Sequence, residues 1–167
     1  MRLTQMNDDR IEDIFDVNSG EVKVSSAPAV LRALALGSCV AVMVYDKINK
    51  IGGLAHIMLP GRSLGRKKEG GLKYAEDALD FLFNSARQSG ANMRNLKVDI
   101  IGGANLLGEG EEGLPEKVLE SILGYLRKKN VKPAHKRTGG TKRRTAVLNI
   151  ESGRVFYSEG DGEIKTL

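Results

Sequence analysis

Hydrophobic positions near the start of the chain follow patterns typical of strands. Residues 20–26, GEVKVSS, alternate apolar and polar side chains and predict a short strand. Residues 39–45, CVAVMVY, are apolar at both parities, as expected of a strand that is buried on both faces. Residues 51–59, IGGLAHIML, predict a second strand after a DKINK turn, in which Asp46 and Asn49 supply turn chemistry. These last two strands therefore form a predicted hairpin.

Two later stretches carry the spacing of an amphipathic helix. The apolar face of the first is spaced i, i+3, i+4, i+7 and consists of Ala75, Ala78, Leu79, Leu82, Phe83 and Ala86. Gly90 lies just past its end, where a left-handed cap is common. The second helix is predicted to begin near Pro115. Its apolar face consists of Val118, Leu119, Ile122, Leu123 and Leu126.

The remaining segments complete the predicted order of elements. Residues 96–104, LKVDIIGGA, predict a strand, and residues 145–159 predict two strands around a Glu-Ser-Gly turn. Residues 1–20 are polar and acidic, and we expect a loosely held N-terminal arm before a domain that spans 21–167. Two amphipathic helices need a sheet to cover, so the pattern predicts one layered α/β or α+β domain with mixed strand directions.

Composition narrows the class of protein. The chain has 167 residues, of which 41% are hydrophobic and 28% charged, and these values suit one soluble domain. It contains no apolar run of ~18 residues that could cross a membrane. The N-terminus lacks the apolar core of a signal peptide, and a single cysteine excludes an internal disulfide. We therefore expect a cytoplasmic protein.

The net charge of +5 permits an acidic partner without identifying one. Residues 135–144, HKRTGGTKRR, form the strongest basic cluster, which suits either a solvated loop or docking to acidic helices. No aromatic residue interrupts these charges, so we do not expect nucleic-acid binding. The glycines of IIGGANLLGEG lack phosphate-loop spacing and favour a tight exit from a strand. One cysteine and two distant histidines do not make the usual four-ligand zinc site, and no cofactor is expected.

The predicted hairpin carries Cys39, the only cysteine, and His56, one of two histidines. If Asp46 pairs with Lys50, Cys39 lies opposite Ile57, whereas a register one residue tighter places Cys39 directly opposite His56. A thiolate beside an imidazolium is an activated nucleophile that suits amide hydrolysis. Free cysteines, however, are often simply buried, and strand histidines are often ordinary core residues. From these residues alone, both interpretations remain open.

Five blocks carry a family resemblance: LGSCVAVMVYD, IGGLAHIMLP, KYAEDAL, IIGGANL and TGGTKRRTAVLNIESGRV. Together, in this order and over roughly residues 20–160, they resemble the CheD family of chemoreceptor glutamine deamidases. The resemblance implies an α+β fold, a single-domain α-β-β sandwich with mixed strands and two main helices. It implies hydrolysis of receptor glutamines to glutamate with release of ammonia. Its implied partners are methyl-accepting chemotaxis receptors and a CheC-type phosphatase.

By position, the resemblance makes Cys39 the nucleophile and His56 its general base and acid. Two stretches depart from the family. The family threonine six positions before the cysteine is Ala33 here, and GLPEKV (113–118) replaces an Ile-Gly-x-Arg-Asn-like stretch before the second helix. The loss of a hydroxyl at Ala33 predicts weak activity. The alternative hypothesis is an adaptor without chemistry that binds a CheC-type phosphatase or receptors.

Overall fold

The computed structural model describes residues 13–65, 71–108 and 113–167. Within these ranges the chain forms ten strands and two α-helices, and none of their helices is long and apolar enough to cross a membrane. The helices are α1 (Ala75–Gln88) and α2 (Leu114–Lys128). The strands are β1 (Asp13–Asp16), β2 (Val22–Ser26), β3 (Ala29–Leu36), β4 (Val40–Asp46), β5 (Ile51–Ile57), β6 (Lys97–Gly102), β7 (His135–Thr138), β8 (Arg144–Asn149), β9 (Val155–Glu159) and β10 (Lys165–Thr166).

A central sheet, in the order β2-β5-β4-β6-β7, carries the helices on one face. Its strands are antiparallel except for the parallel β6–β7 pair. Because successive side chains of a strand point to opposite faces, Val40, Val42 and Val44 pack against the helices. Ala41 and Met43 face the other way. The apolar run at both parities in β4 therefore reflects a strand that is covered on both sides.

An outer sheet, in the order β1-β3-β8-β9-β10, covers the second face of the central sheet. Its strands are antiparallel except for the parallel β1–β3 pair. Leu31, Leu36 and Leu148 are fully buried and form a second core with inward residues of the central sheet. The layers are thus helices, central sheet and outer sheet, which confirms the expected α-β-β sandwich with mixed strands and two main helices.

Residues 13–20 differ from the loosely held arm expected for residues 1–20. Asp13–Asp16 form β1, and the carboxylate of Asp16 accepts two hydrogen bonds from Arg32, at 2.7 and 2.9 Å. Val17, the next residue, is only 3% exposed. A four-residue strand is too short for a readable alternation, and its parallel partner β3 is distant in sequence, so local pattern could not indicate it. Residues 1–12 of the expected arm lie outside the described residues.

Candidate active site

The β4–β5 hairpin places Cys39 and His56 in a register that differs from both predicted ones. The closing pair is Asp46–Ile51, so Ala41 lies opposite His56 and Val40 opposite Ile57. The turn has four residues because the Asp46 carboxylate accepts hydrogen bonds from the N–H groups of Ile48 and Asn49, at 2.9 and 3.2 Å. The longer turn moves the whole ladder by one residue, and both predicted pairings of Cys39 are wrong.

Strand geometry nevertheless brings the two side chains to one face. Cys39 and Ala41 are two residues apart and point the same way, so His56, opposite Ala41, is a diagonal neighbour of Cys39. Both side chains face the outer sheet. Cys39 packs on the core between the sheets, and His56 lies two residues after Leu54 of that core, so it points to the same face of β5. The His56 side chain is buried, with 4% exposed.

A short crossing segment, residues 17–21, runs over this hairpin and is called the strap below. Its first residue donates its N–H to the carbonyl of Arg32 in the outer sheet, at 2.8 Å. Its other end is tied to the central sheet, because the N–H of Gly20 donates to the carbonyl of His56 at 2.9 Å and the N–H of His56 donates to Glu21 at 3.0 Å. The strap is therefore fixed to both sheets beside the histidine.

The strap determines which nitrogen of His56 carries a proton. Nδ1 lies 2.9 Å from the carbonyl oxygen of Val17, which only accepts, so Nδ1 is the protonated nitrogen. The other nitrogen, Nε2, then has a free lone pair in the neutral ring, and Ser19 Oγ lies 3.4 Å from it. Burial lowers the pKa of His56, and the opposing effects of the Val17 carbonyl and the Glu21 charge do not offset it. The lowered pKa favours the neutral ring, which can act as a base through Nε2.

The Cys39 thiol is partly buried beside the same serine. Burial raises its pKa, and a side-chain hydrogen bond with Ser19 offsets only part of this rise. Within the described ranges no direct hydrogen bond joins Cys39 to His56. Both pKa shifts therefore favour the neutral forms, a thiol on Cys39 and an imidazole on His56, over a thiolate–imidazolium pair.

The backbone around Cys39 is supported by the chain at the end of β6, where Gly102 and Gly103 lie. The N–H of Gly103 donates to the carbonyl of Cys39 at 2.8 Å, and the N–H of Ala104 donates to Gly37 at 2.9 Å. Gly102 has a φ of +120°, and a Cβ at this position would overlap the carbonyl oxygen of Cys39. The glycine pair is thus a tight strand exit, as predicted, and its glycines allow close approach to the backbone of Cys39.

Ala33 lies in β3 opposite Ala146 and is completely buried in the core between the sheets. The β3–β8 pairing is irregular between Ala33 and Leu36, and Ala35 adopts a φ of +52° inside this irregularity. The chain then reaches Cys39 after three further residues. Position 33 therefore belongs to the same core as the cysteine and offers no hydroxyl to it.

The second histidine belongs to a different part of the central sheet. His135 lies on β7, which is separated from β5 by two strands, and its Nδ1 is 2.8 Å from the Asp99 carboxylate. The basic segment 135–144 contacts the chain at the end of β6. The N–H of Asn105 donates to the carbonyl of Gly140 at 2.8 Å, and the N–H of Gly139 donates to the carbonyl of Gly102 at 3.1 Å. No group of three or more metal-ligating side chains occurs among the residues with described positions.

Ser19 is the residue of this site that sequence analysis did not identify. Its segment, Asn18-Ser19-Gly20, reads as an ordinary turn before a strand, and nothing local distinguishes its hydroxyl from others. Its contacts come from a segment 37 residues away in sequence, so only the folded structure assembles them. The other two side chains, Cys39 and His56, are brought together as predicted, although not in direct contact.

Comparison with known proteins gives a consistent result. The family described as CheD chemotactic sensory transduction matches residues 58–159. A CheD protein of Chlorobium luteolum is 36% identical over 143 residues, covering 86% of this chain and 71% of the relative. The chemoreceptor glutamine deamidase CheD of Halalkalibacterium halodurans is 33% identical over 92% of this chain and 100% of the relative. That of Thermotoga maritima is 33% identical over 88% and 93%, respectively. The chain therefore belongs to the CheD family.

Proposed function

We propose that the protein is a glutamine deamidase that hydrolyses side-chain amides of chemotaxis receptors to glutamate and ammonia. The observation that carries the proposal is the placement of Cys39 and the buried His56 on one face of the hairpin, with Nδ1 bonded to Val17 and Nε2 left at 3.4 Å from Ser19 Oγ. The names of the relatives in Halalkalibacterium halodurans and Thermotoga maritima, chemoreceptor glutamine deamidase, support the substrate class.

In the first half of the reaction, the sulfur of Cys39 attacks the carboxamide carbon of a receptor glutamine. The thiol proton passes to Nε2 of His56, whose other nitrogen stays bonded to the Val17 carbonyl. The imidazolium so formed protonates the amide nitrogen, which leaves as ammonia, and a thioester remains on Cys39. The buried neutral base is suited to this step because it gains a proton only while the reaction proceeds.

In the second half, His56 is neutral again and removes a proton from water as the water attacks the thioester. Collapse of the tetrahedral intermediate releases glutamate and returns the proton to the sulfur of Cys39. Backbone N–H groups near Cys39 are the candidates for stabilising the oxyanion. The support from Gly103 and Ala104 holds this backbone in one position, which such stabilisation requires.

The decisive experiment is mass spectrometry of receptor cytoplasmic helices incubated with the protein. Each deamidation converts an amide to an acid and adds a fixed mass at an identifiable glutamine. We expect modification by the wild type and none by Cys39→Ala, which removes the nucleophile and little volume. His56→Ala should also be inactive. His135→Ala should keep its activity, because two strands separate β7 from the strand of His56. Equal modification by Cys39→Ala would contradict the proposal.

Two finer points belong to the same proposal. The protein acts in the cytoplasm, where the signalling helices of receptors lie, and it binds a CheC-type phosphatase, as the family resemblance implies. We expect Cys39→Ala to retain phosphatase binding, since the substitution changes one small side chain on the inner face of a strand. A pull-down with purified phosphatase tests the partner separately from the chemistry. Absence of binding by the wild type would remove the partner and leave the deamidase proposal intact.

A further inference from the structure

The Ser19 hydroxyl lies on the face of the hairpin that carries the two groups used in the proposed reaction. Its Oγ is 3.4 Å from Nε2 of His56, and Cys39 is the diagonal neighbour of that histidine on the same face of the hairpin. The hydroxyl also lowers the pKa of the Cys39 thiol, against the larger effect of burial. A hydroxyl has one proton to donate and two lone pairs, so it can accept from the thiol while it donates to the imidazole. Because Nδ1 holds its proton against Val17, Nε2 is the nitrogen that is able to accept.

We infer that Ser19 is a further catalytic residue, whose hydroxyl carries the proton of Cys39 to His56. As the sulfur–carbon bond forms, the thiol proton moves to Ser19 Oγ, and the proton already on Oγ moves to Nε2. The imidazolium proton returns by the same path to the amide nitrogen, which leaves as ammonia. Ser19 ends each passage unchanged, and no further reactant is needed. This inference rests on the proposed deamidase function.

The main chain holds the serine where this transfer needs it. Gly20, the next residue, donates its N–H to the carbonyl of His56 at 2.9 Å. This main-chain hydrogen bond keeps Ser19 next to His56. The turn is closed by the N–H of Glu21, which donates to Asn18 at 2.9 Å, and by the N–H of Asn18, which donates to the Glu21 carboxylate at 2.8 Å. Hydrogen bonds of catalytic groups are often long before substrate binds, which suits the 3.4 Å separation.

The first test uses the thiol alone and needs no receptor. Alkylation of Cys39 with iodoacetamide is followed against pH for the wild type, Ser19→Ala and Ser25→Ala. Ser25 lies on β2 and its hydroxyl bonds to the backbone of Ser26, so it is a matched serine outside the site. We expect the profile of Ser19→Ala to move to higher pH, because a hydrogen bond that favours the thiolate is lost. The profile of Ser25→Ala should match the wild type.

The second test measures turnover on a receptor fragment. Ser19→Ala should lower kcat about 10- to 100-fold with KM changed less than about twofold, because proton transfer and not binding is impaired. Ser19→Thr, which keeps a hydroxyl, should restore kcat to within about threefold of the wild type. Melting temperatures of the variants distinguish these effects from misfolding.

The outcomes separate this inference from the proposed function. A folded Ser19→Ala with wild-type kcat and an unchanged alkylation profile would overturn the relay. If the wild type modifies no glutamine but the alkylation profile of Ser19→Ala is shifted, the deamidase proposal is overturned. The interaction of the Ser19 hydroxyl with the Cys39 thiol is still supported in that case. An inactive wild type with an unchanged profile would overturn both.

Discussion

His56 donates its Nδ1 proton to the main-chain carbonyl of Val17, 2.9 Å away, in the strap that connects the two sheets. The contact joins a residue of the central sheet to the segment that follows β1 of the outer sheet. A main-chain carbonyl carries no proton and does not titrate, so it fixes the ring orientation without making the imidazole permanently charged. The ring is therefore held as a base rather than as one half of an ion pair.

The rate of deamidation should depend on pH through His56. Burial lowers the pKa of this ring, so the base stays unprotonated to a lower pH than an ordinary histidine. We expect kcat/KM to fall only as pH drops below the ordinary histidine pKa of ~6.5. The measurement is a pH–rate profile with the receptor fragment. A fall in rate that begins above the ordinary pKa would show that His56 is charged at rest.

The free energy of unfolding should also depend on pH through His56, and it should decrease at low pH. Because the folded pKa of His56 is lowered, the unfolded chain binds a proton at a pH where the folded protein does not. Stability is therefore fully present above the ordinary pKa and decreases as pH falls from there toward the folded value. Thermal melts between about pH 5 and about pH 8 test this. His56→Gln should flatten the dependence, whereas His135→Gln should not, if His56 is its source.

Gly102→Ala should displace the backbone of Cys39. The new Cβ would overlap the Cys39 carbonyl oxygen, and the φ of +120° is unfavourable for alanine. We expect a loss of about 3 kcal/mol or more in the free energy of unfolding. Gly108→Ala is the matched control, because its φ is +98° but nothing lies within 4 Å of its added Cβ. It should cost only about 1–2 kcal/mol.

The two glycine variants also differ in what they do to the thiol. Gly102→Ala should change the alkylation rate of Cys39 under native conditions, and Gly108→Ala should leave it unchanged. Equal destabilisation of both variants, with equal alkylation rates, would mean that backbone strain alone and not contact with Cys39 explains the glycine.

Ala33→Thr tests whether position 33 limits the chemistry. The family resemblance places a threonine there, so we expect faster turnover with similar apparent affinity. The hydroxyl enters a completely buried position, which should cost about 1–3 kcal/mol of stability if it finds no partner. Ala146→Thr places the same group on the opposite, equally buried residue and should lose stability without a gain in rate. A folded Ala33→Thr with unchanged turnover would show that position 33 does not limit the rate.

Ala35→Gly should stabilise the protein. Alanine at a φ of +52° is strained, whereas glycine adopts this conformation readily. Relief of the strain exceeds the added entropy of the unfolded chain, and we expect a net gain of about 0.5–1 kcal/mol. Ala134→Gly, an exposed alanine without positive φ, should lose stability instead. Denaturant unfolding of both variants measures the difference, and a loss in Ala35→Gly would contradict the argument.

The sequence predicted those elements of the fold in which the spacing of apolar residues is regular over several residues. The two helices, the β4–β5 hairpin and the β8–β9 pair are each visible in the spacing of apolar residues, and all are present. β1, β3, β7 and β10 are missing from the prediction. β3 has eight residues, but its apolar run AVLRALAL was not interpreted as a strand. β10 has only two residues, and β1 and β7 have four residues each, which show little alternation. β1 and β7 also pair in parallel with strands that another element separates from them along the chain. Their neighbours are known only once the chain is folded.

Prediction of the site had a similar limit. Residue type and spacing brought Cys39 and His56 to one hairpin, but the register depended on how many residues the turn at Asp46 contains, which its side-chain hydrogen bonds decide. Ser19 enters through long-range contacts that no local pattern specifies. The raised pKa of Cys39 and the lowered pKa of His56 both result from burial, which follows only from the packed layers.

The Val17 contact has a consequence for how such sites evolve. The group that orients the imidazole is a carbonyl oxygen, and every amino acid at position 17 would provide the same atom. Natural selection for this interaction therefore acts on the path of the polypeptide and not on the identity of one residue. Any substitution that the buried position 17 tolerates would therefore keep the interaction. A relative that keeps the cysteine and the histidine can still be inactive if it lacks β1 and the strap.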